Sequence, residues 1–196
     1  MNRRLLLISH APTAAMRAGR FPADDPLDAR GLGEAQAART RISIADDVTA
    51  FVSPAVCARE TAVALGLAAK VDPALADVDY GEWRGQRLHD LAAQTPDGLT
   101  AWTRDPHAAP HGGESFTQVI KRIGEWLSAL NVAPDPALGH VRNVVAITHA
   151  PLVRAAIVHV LGASPEIFPR IEIAPLAVVE LQHSRQRGWT WNPAPS

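Results

Sequence analysis

Two histidines occupy the same short motif at opposite ends of the chain. The sequence LLLISHAPT covers residues 5–13 and VVAITHAPL covers residues 144–152, so His10 and His149 each follow an apolar run and precede Ala-Pro. A short apolar run bounded by a proline predicts a buried strand, and a residue before proline is held in extended backbone. Ligands of open α/β sheets gather at the carboxyl ends of the strands. Because both rings would leave the same sheet edge, the shared flanks favour one functional site over two unrelated strand-end histidines.

The elements that would position these histidines alternate along the chain. The strands are predicted at 5–9, 48–53, 70–72, 144–148, 172–181 and 188–191. The helices are predicted at 31–44, 54–65, 86–93, 99–104, 114–130 and 152–161, and the longest of them carries an apolar stripe at three-and-four spacing. Loops are predicted at 14–30 and 105–113, and a proline-rich link is predicted at 131–139. Strands that alternate with helices predict an α/β fold with a mostly parallel sheet.

Composition is that of an ordinary globular protein. The chain has 196 residues, of which 47% are hydrophobic and 20% are charged, and it suits one domain over residues 1–196. The 19 basic and 20 acidic residues give a net charge of −1, so binding to nucleic acid or to an anionic membrane is not expected. The apolar runs are too short for a membrane helix or a signal peptide, and a cytoplasmic location is expected.

The metal-ligating residues follow no recognisable motif. Cys57 is the only cysteine, which excludes an intramolecular disulfide and a cysteine-based zinc site. The histidines could pair on a metal, but the chain has no HExxH or comparable ligand spacing. We therefore expect no metal and no other cofactor.

Six short motifs occur in the order that is typical of one known family. They are SHAPT at 9–13, Pro-Leu with a glycine-initiated helix at 26–37, SPAVCARETA at 53–62, LADVDYGEWRG at 75–85, Gly-Glu-Ser at 113–115 and ITHAPLVR at 147–154. Over most of its length the chain resembles the histidine phosphatases, also called the phosphoglycerate mutase-like superfamily. The resemblance implies a three-layer sandwich, in which helices flank a mostly parallel central sheet. It also implies phosphoryl transfer through a phosphohistidine, without a metal.

The resemblance implies a catalytic role for several matching residues. His10 would be the nucleophile, and its ring would attack phosphorus in the neutral form. Arg59 and His149 would surround the phosphoryl oxygens and stabilise their charge. Asp77 would protonate the leaving oxygen and later activate water. The family usually has Glu at that acid position, so Glu82 in the same loop is the alternative acid.

The main departure from the family is Ser9, where the family has a phosphate-binding arginine. A serine hydroxyl can donate one hydrogen bond but brings no charge. Arg17 and Arg20 follow shortly after His10, and either could return the missing charge. The substrate-binding residues expected from the sequence are Ser9, Thr13, Arg20, Arg59 and Glu82.

The function expected from these residues is that of a phosphomonoesterase acting on a small phosphorylated metabolite. The alternative is a catalytically impaired member of the fold that binds a phosphate or phospholigand, which Ser9 favours. Retention of all four matching residues, His10, Arg59, Asp77 and His149, favours the enzyme, because binding alone needs no nucleophile. A mutase is disfavoured because the extra helical segments of that branch are missing. The apolar C-terminal strand could pair two copies of the chain into a homodimer.

Overall fold

The central element of the fold is one six-stranded sheet. A computed structural model describes residues 2–132 and 142–192. The strands are β1 (Arg3–Ser9), β2 (Val48–Val52), β3 (Ala69–Val71), β4 (Asn143–Thr148), β5 (Val178–Ser184) and β6 (Gly188–Asn192). The helices are α1 (Ala14–Arg17), α2 (Ala29–Ala38), α3 (Val56–Ala64), α4 (Leu88–Gln94), α5 (Pro96–Arg104), α6 (Phe116–Val132) and α7 (Ala150–Leu161).

The sheet is mostly parallel, as the sequence predicts. Its strand order is β3-β2-β4-β1-β5-β6, and the first four strands of that order run parallel to one another. β5 pairs antiparallel with β1, and β6 pairs antiparallel with β5. In the register of β1 with β4, Ser9 lies beside Thr148. The next residue of each strand end, His10 or His149, therefore leaves the same edge of the sheet.

Apolar side chains on both faces of the sheet explain the three layers. Successive strand residues point to opposite faces, so a strand buried on both sides is continuously apolar. Leu5 and Leu7 of β1 join the core that includes the buried stripe of α6 and most of α7. Leu6 and Ile8 join a second core, which contains residues of α2 and α3. The predicted three-layer sandwich is confirmed.

Several element boundaries differ from the predicted ones. The helix predicted over 31–44 is Ala29–Ala38, because the Asp28 carboxylate accepts from the Gly31 amide and begins the helix early. The predicted loop 14–30 contains the short helix α1, which begins where the Thr13 hydroxyl accepts from the Met16 amide.

The strand predicted over 172–181 starts only at Val178. Leu176 has a positive φ of 60°, which interrupts extended backbone. Residues 165–170 ahead of it form a 3-10 helix. The predicted link at 131–139 falls mostly in residues 133–141, outside the described residues. Among the described residues, no helix combines the length and apolar character needed to cross a membrane.

Candidate active site

Two buried imidazoles face each other at the carboxyl ends of β1 and β4. The ring centroids of His10 and His149 are 4.9 Å apart, and the rings meet edge to face. Both residues are buried. The parallel register of the two strands accounts for this proximity, because it places two residues 139 positions apart in the chain side by side.

A backbone carbonyl fixes the tautomer of His10. The Nδ1–H of His10 donates to the Ala11 carbonyl at 2.7 Å, which leaves the lone pair on Nε2. Burial and the nearby charge of His149 lower the pKa of His10 to about 4, against smaller opposing effects of the Ala11 hydrogen bond and Asp77. His10 is therefore a neutral imidazole over the physiological pH range, with one unprotonated nitrogen available as a nucleophile or ligand.

Ala11, whose carbonyl fixes the His10 ring, is itself held by helix α3. The Ala11 amide donates to the Thr61 hydroxyl at 3.0 Å, and that hydroxyl donates to the Cys57 carbonyl at 2.7 Å. All of these groups are buried. The orientation of the His10 ring is thus coupled to the position of α3.

Side chains, rather than the backbone, surround His149. Its Nε2 lies 2.8 Å from the Ser53 hydroxyl, at the end of β2. Its Nδ1 lies 3.2 Å from Oδ2 of Asp77, an ion-pair contact that is not aligned as a hydrogen bond. His149 is also the residue before α7, which begins at Ala150 and has Pro151 in its first turn.

Asp77 is a partly buried carboxylate, with a side chain that is 16% exposed. Its partial burial raises its pKa, but the interactions with His149, the Val78 amide and His10 outweigh that effect, so the pKa of Asp77 is lowered. The Val78 amide donates to its Oδ1 at 2.8 Å. Asp77 is therefore an ionised carboxylate beside His149 at neutral pH.

Arg122 of α6 holds the segment that carries Asp77. Its guanidinium donates to the carbonyls of Ala74 and Ala76 at 2.9 Å and to the Asp77 carbonyl at 3.2 Å, and it also binds Glu114 at 2.7 Å. Five donors in a fixed plane suit such a set of acceptors. The sequence analysis missed this positioning role because the three carbonyls lie 45 to 48 residues away in the chain.

Two glycines allow the loop after Asp77 to pack closely against residues 111–113. A Cβ at Gly81 would lie 1.9 Å from the His111 carbonyl oxygen, and one at Gly113 would lie 1.9 Å from the Asp79 carbonyl oxygen. Only glycine permits such an approach. The loop after Asp77 is therefore packed directly against residues 111–113.

The two histidines open into a cavity of about 400 Å³. Of the residues predicted for the site, five line it: His10, Thr13, Arg20, Asp77 and His149. Side chains that the sequence analysis did not select also line it, including Ser53, Cys57, Tyr80 and Arg84. The structure thus brings together the predicted catalytic residues and one of the two arginines proposed to replace the missing charge.

Three of the predicted site residues do not line this cavity. Ser9 is buried, and its backbone pairs with Leu176 and Ala177. Glu82 is exposed on a 3-10 turn, Gly81–Trp83. Arg59 is exposed on the outer side of α3. Asp77, rather than Glu82, is the acidic side chain beside the histidines.

Cys57 takes the place in the cavity that the sequence analysis assigned to Arg59. A helix turns about 200° over two residues, so Arg59 and Cys57 face opposite sides of α3. The sequence holds one signal for this inner face, which is the four-residue spacing of Ser53, Cys57 and Thr61. Burial, with a contribution from Asp77, raises the pKa of the Cys57 thiol to about 12, so the thiol is protonated and unreactive as a nucleophile.

The lining of the cavity is acidic. Among the described residues that line it are four aspartates, Asp24, Asp25, Asp77 and Asp79, against the two arginines Arg20 and Arg84. Arg20 lies 3.6 Å from Asp25. Arg17, the other arginine proposed from the sequence, is paired with Asp28 and does not line the cavity. Counted over these aspartates and arginines alone, the formal charge of the lining is therefore negative.

Comparison with known proteins identifies the family. The chain matches the model of the histidine phosphatase superfamily (branch 1) over residues 5–192. The protein therefore belongs to the histidine phosphatase superfamily, as the six motifs imply.

Relatives with known names agree with this membership. The chain is 31% identical over 163 residues to glucosyl-3-phosphoglycerate phosphatase of Mycobacterium tuberculosis (strain ATCC 25618 / H37Rv), covering 78% of this chain and 73% of that protein. It is 27% identical over 186 residues to the bifunctional protein Rv2228c of the same strain, covering 90% of this chain. The chain spans about half the length of Rv2228c (50%).

A solved structure has the same fold. The mycobacterial glucosyl-3-phosphoglycerate phosphatase Rv2419c in complex with VO3 superposes with a TM-score of 0.81 at 27% identity, covering 97% of both chains. The 31% identical relative and this solved structure are both named glucosyl-3-phosphoglycerate phosphatase.

Proposed function

We propose that the protein is a phosphomonoesterase that transfers the phosphoryl group of a small metabolite to Nε2 of His10. The observation that carries this proposal is the hydrogen bond from Nδ1–H of His10 to the Ala11 carbonyl, which leaves the lone pair on Nε2 beside the cavity. A buried neutral imidazole is a competent nucleophile at physiological pH. The cavity volume of about 400 Å³ suits a small substrate.

The reaction has two steps. In the first, Nε2 of His10 forms a bond to phosphorus while the bond from phosphorus to the substrate oxygen breaks, and Asp77 gives its proton to that oxygen. In the second, Asp77 takes a proton from water, the water oxygen bonds to phosphorus, and the bond to Nε2 breaks. Phosphate leaves, and the ring of His10 returns to its neutral form.

The first step needs a protonated Asp77, whereas the pKa of Asp77 is lowered in the free protein, in part by its contact with His149. Substrate binding changes these surroundings. A phosphate dianion bound beside the carboxylate repels its negative charge and raises its pKa. The same dianion would compete with Asp77 for His149, whose Nδ1 lies 3.2 Å from the Asp77 carboxylate. Substrate binding would therefore protonate the acid that the first step needs.

Arg20 and Arg84 are the arginines available to bind the phosphoryl oxygens. Both line the cavity, whereas Arg17 is paired with Asp28 and Arg59 faces outward. The contact of Arg20 with Asp25 is long and partly exposed, so its guanidinium can turn to an anion. Of the two arginines considered from the sequence, we therefore propose Arg20 for the missing charge.

A second candidate function is binding of a phospholigand without turnover. The acidic lining of the cavity favours it, because four aspartates oppose the binding of a phosphate dianion. Ser9, where the family resemblance leads us to expect arginine, favours it as well. So does the lining of the cavity by Cys57 instead of the expected Arg59.

The experiment that separates these functions measures phosphate release from a panel of phosphomonoesters in the presence of a chelator. Wild type is compared with His10→Ala and with His89→Ala, a control in which the side chain removed is 94% exposed. In parallel, acid quenching with a ³²P-labelled substrate traps phosphohistidine.

We expect turnover and labelling in wild type and in His89→Ala, and loss of both in His10→Ala. Turnover that survives His10→Ala would overturn the phosphohistidine mechanism. Binding of a panel member by wild type without turnover would favour the second candidate.

A further inference from the structure

Three side chains that are typical metal ligands converge at the floor of the cavity. One ligand atom each of His10, Cys57 and His149 lies within 4.8 Å of the other two. All three residues are buried, with exposed fractions of 7%, 6% and 2%. Their sequence spacing of 47 and 92 residues matches no metal motif, and only the fold brings them together.

We propose that these three side chains bind one Zn²⁺ ion, with the fourth coordination position open to the cavity. Zn²⁺ prefers four ligands of the imidazole and thiolate type, at about 2.0–2.1 Å for nitrogen and 2.3 Å for sulfur. Ligand atoms around such an ion lie about 3.4–3.6 Å apart. The three ligand atoms lie within 4.8 Å of one another, so side-chain shifts of about 1 Å bring them to the separation that zinc requires. A single cysteine excludes a site built from cysteines alone, but not this mixed one.

Each histidine already has an acceptor beside its other ring nitrogen, hydrogen-bonded to His10 and in ion-pair contact with His149. A ligating imidazole donates its other ring N–H to a backbone carbonyl or a carboxylate, which fixes the ring. His10 donates Nδ1–H to the Ala11 carbonyl. Nδ1 of His149 lies 3.2 Å from the Asp77 carboxylate. Nε2 of each ring is therefore the ligand atom, and the Ser53 hydroxyl near Nε2 of His149 gives way to the metal.

The charge of the cavity favours a cation. Four aspartates and two arginines line it, so a divalent ion finds a negative field there. Binding replaces the Sγ–H proton of Cys57 by the metal, and one proton leaves to solvent for each ion bound. The charge gained at the cavity floor is therefore one positive unit.

Metal binding and phosphoryl transfer use the same atom. Nε2 of His10 has one lone pair, so it cannot ligate zinc and attack phosphorus at once. Zn²⁺ would therefore prevent formation of a phosphohistidine. The zinc site itself depends only on the three side chains, and it stands independently of the proposed phosphatase activity.

The experiment titrates the full chain, freed of metal by a chelator and kept reduced, with Co²⁺ as a spectroscopic substitute for Zn²⁺. Because Cys57 is the only cysteine, a thiolate-to-cobalt charge-transfer band reports this residue alone. We expect that band, together with visible bands of tetrahedral Co²⁺, at one ion per chain. Equimolar Zn²⁺ should abolish them.

Variants assign the ligands. Cys57→Ser removes the charge-transfer band, and His10→Ala or His149→Ala weakens Co²⁺ binding by about 100-fold, since loss of an outer partner alone costs about 10–100-fold. The control His89→Ala keeps both the band and the affinity. Circular dichroism of each variant confirms folding, and Cys57→Ala replaces Cys57→Ser if the latter does not fold.

The absence of a charge-transfer band at saturating Co²⁺ would overturn the proposal. Wild-type affinity in Cys57→Ser, or in either histidine variant, would overturn it as well. None of these outcomes depends on phosphate release, so the zinc site and the proposed enzyme can fail separately.

Discussion

The ends of β1 and β4 carry the same motif but hold their histidines differently. A backbone carbonyl, that of Ala11, accepts the hydrogen bond from Nδ1 of His10. Two side chains, Ser53 and Asp77, flank the ring of His149. A carbonyl can only accept a hydrogen bond, so it commits the ring to one tautomer, whereas a hydroxyl and a carboxylate allow the ring to gain or share a proton. The hydrogen-bonding partner, and not the motif, therefore gives the two histidines different environments.

The difference extends to the segment on the C-terminal side of each histidine. His149 leads directly into α7, a helix that packs against the sheet. His10 leads into a loop that Thr61 ties to α3. Four perturbations of these environments, ordered from the largest expected effect to the smallest, test the contrast.

Asp77→Asn should have the largest effect. The amide keeps the shape of the side chain but can neither give up a proton to the leaving oxygen nor pair with a charged His149. General acid catalysis contributes about 10²–10⁴-fold, so kcat should fall by that amount for an alkyl phosphate. Steady-state phosphate release checks it.

An aryl phosphate with an acidic leaving group serves as the control for Asp77→Asn. Its leaving oxygen needs little protonation, so labelling of His10 should remain fast. An equal loss with both substrates would contradict the role of Asp77 as the acid.

His149→Ala should reduce kcat by about 10²–10³-fold, the usual loss when one donor to a developing oxyanion is removed. The nucleophile is intact, so slow phosphohistidine formation should still be detectable by ³²P trapping. A complete absence of the label would mean that the two histidines act as one unit rather than in separate roles.

The pH dependence of stability should distinguish His10 from its neighbours. The pKa of His10 is about 4 when folded and 6.5 when unfolded, so the unfolded chain binds more protons between these values. Stability contributed by the neutral ring is present above pH 6.5 and is lost as the pH falls towards 4. The loss should reach roughly 2–3 kcal/mol by about pH 4.5.

Urea unfolding of wild type and of His10→Asn at about pH 7.5 and pH 4.5 measures this contribution. Asp77 has a lowered pKa, so its own contribution is lost only below this range and affects both proteins alike. If the free energy of unfolding of the two proteins changes equally with pH, His10 does not have the lowered pKa.

Ser53→Ala should have the smallest effect. It removes one hydrogen bond to Nε2 of His149, worth about 1 kcal/mol, and kcat should fall about five-fold. Ser164→Ala is the matched control, because its hydroxyl bonds only to the exposed Glu166. A loss near that of His149→Ala would show that Ser53 itself contacts the reacting group.

Much of the fold could be predicted because its signals are local. Apolar runs that end in polar residues locate β1 and β4, and the period of the apolar stripe locates α6. The strand predicted over 172–181 was too long because the positive φ of Leu176 has no signal in the residue type. Asp28 began α2 early through a capping bond that the predicted boundary ignored.

The candidate site was predictable only where one element carried the residue to the sheet edge. His10, Asp77 and His149 follow from such placement, together with the order of the motifs. The position of Arg59 does not follow in this way, because the orientation of α3 turns Cys57, rather than Arg59, toward the cavity. The contacts of Ser53 and Arg122 join residues far apart in the chain, and no local pattern encodes them.

The double-sided burial of β1 has a consequence for how this site can change. A slip of one residue against β4 would carry His10 about 3.3 Å along the strand and exchange Leu5 and Leu7 with Leu6 and Ile8 between the two cores. Both layers would have to repack before the two rings could part. We therefore expect insertions to be far better tolerated in residues 14–30, where the chain runs over the rim of the cavity, than in β1, the strand that precedes His10.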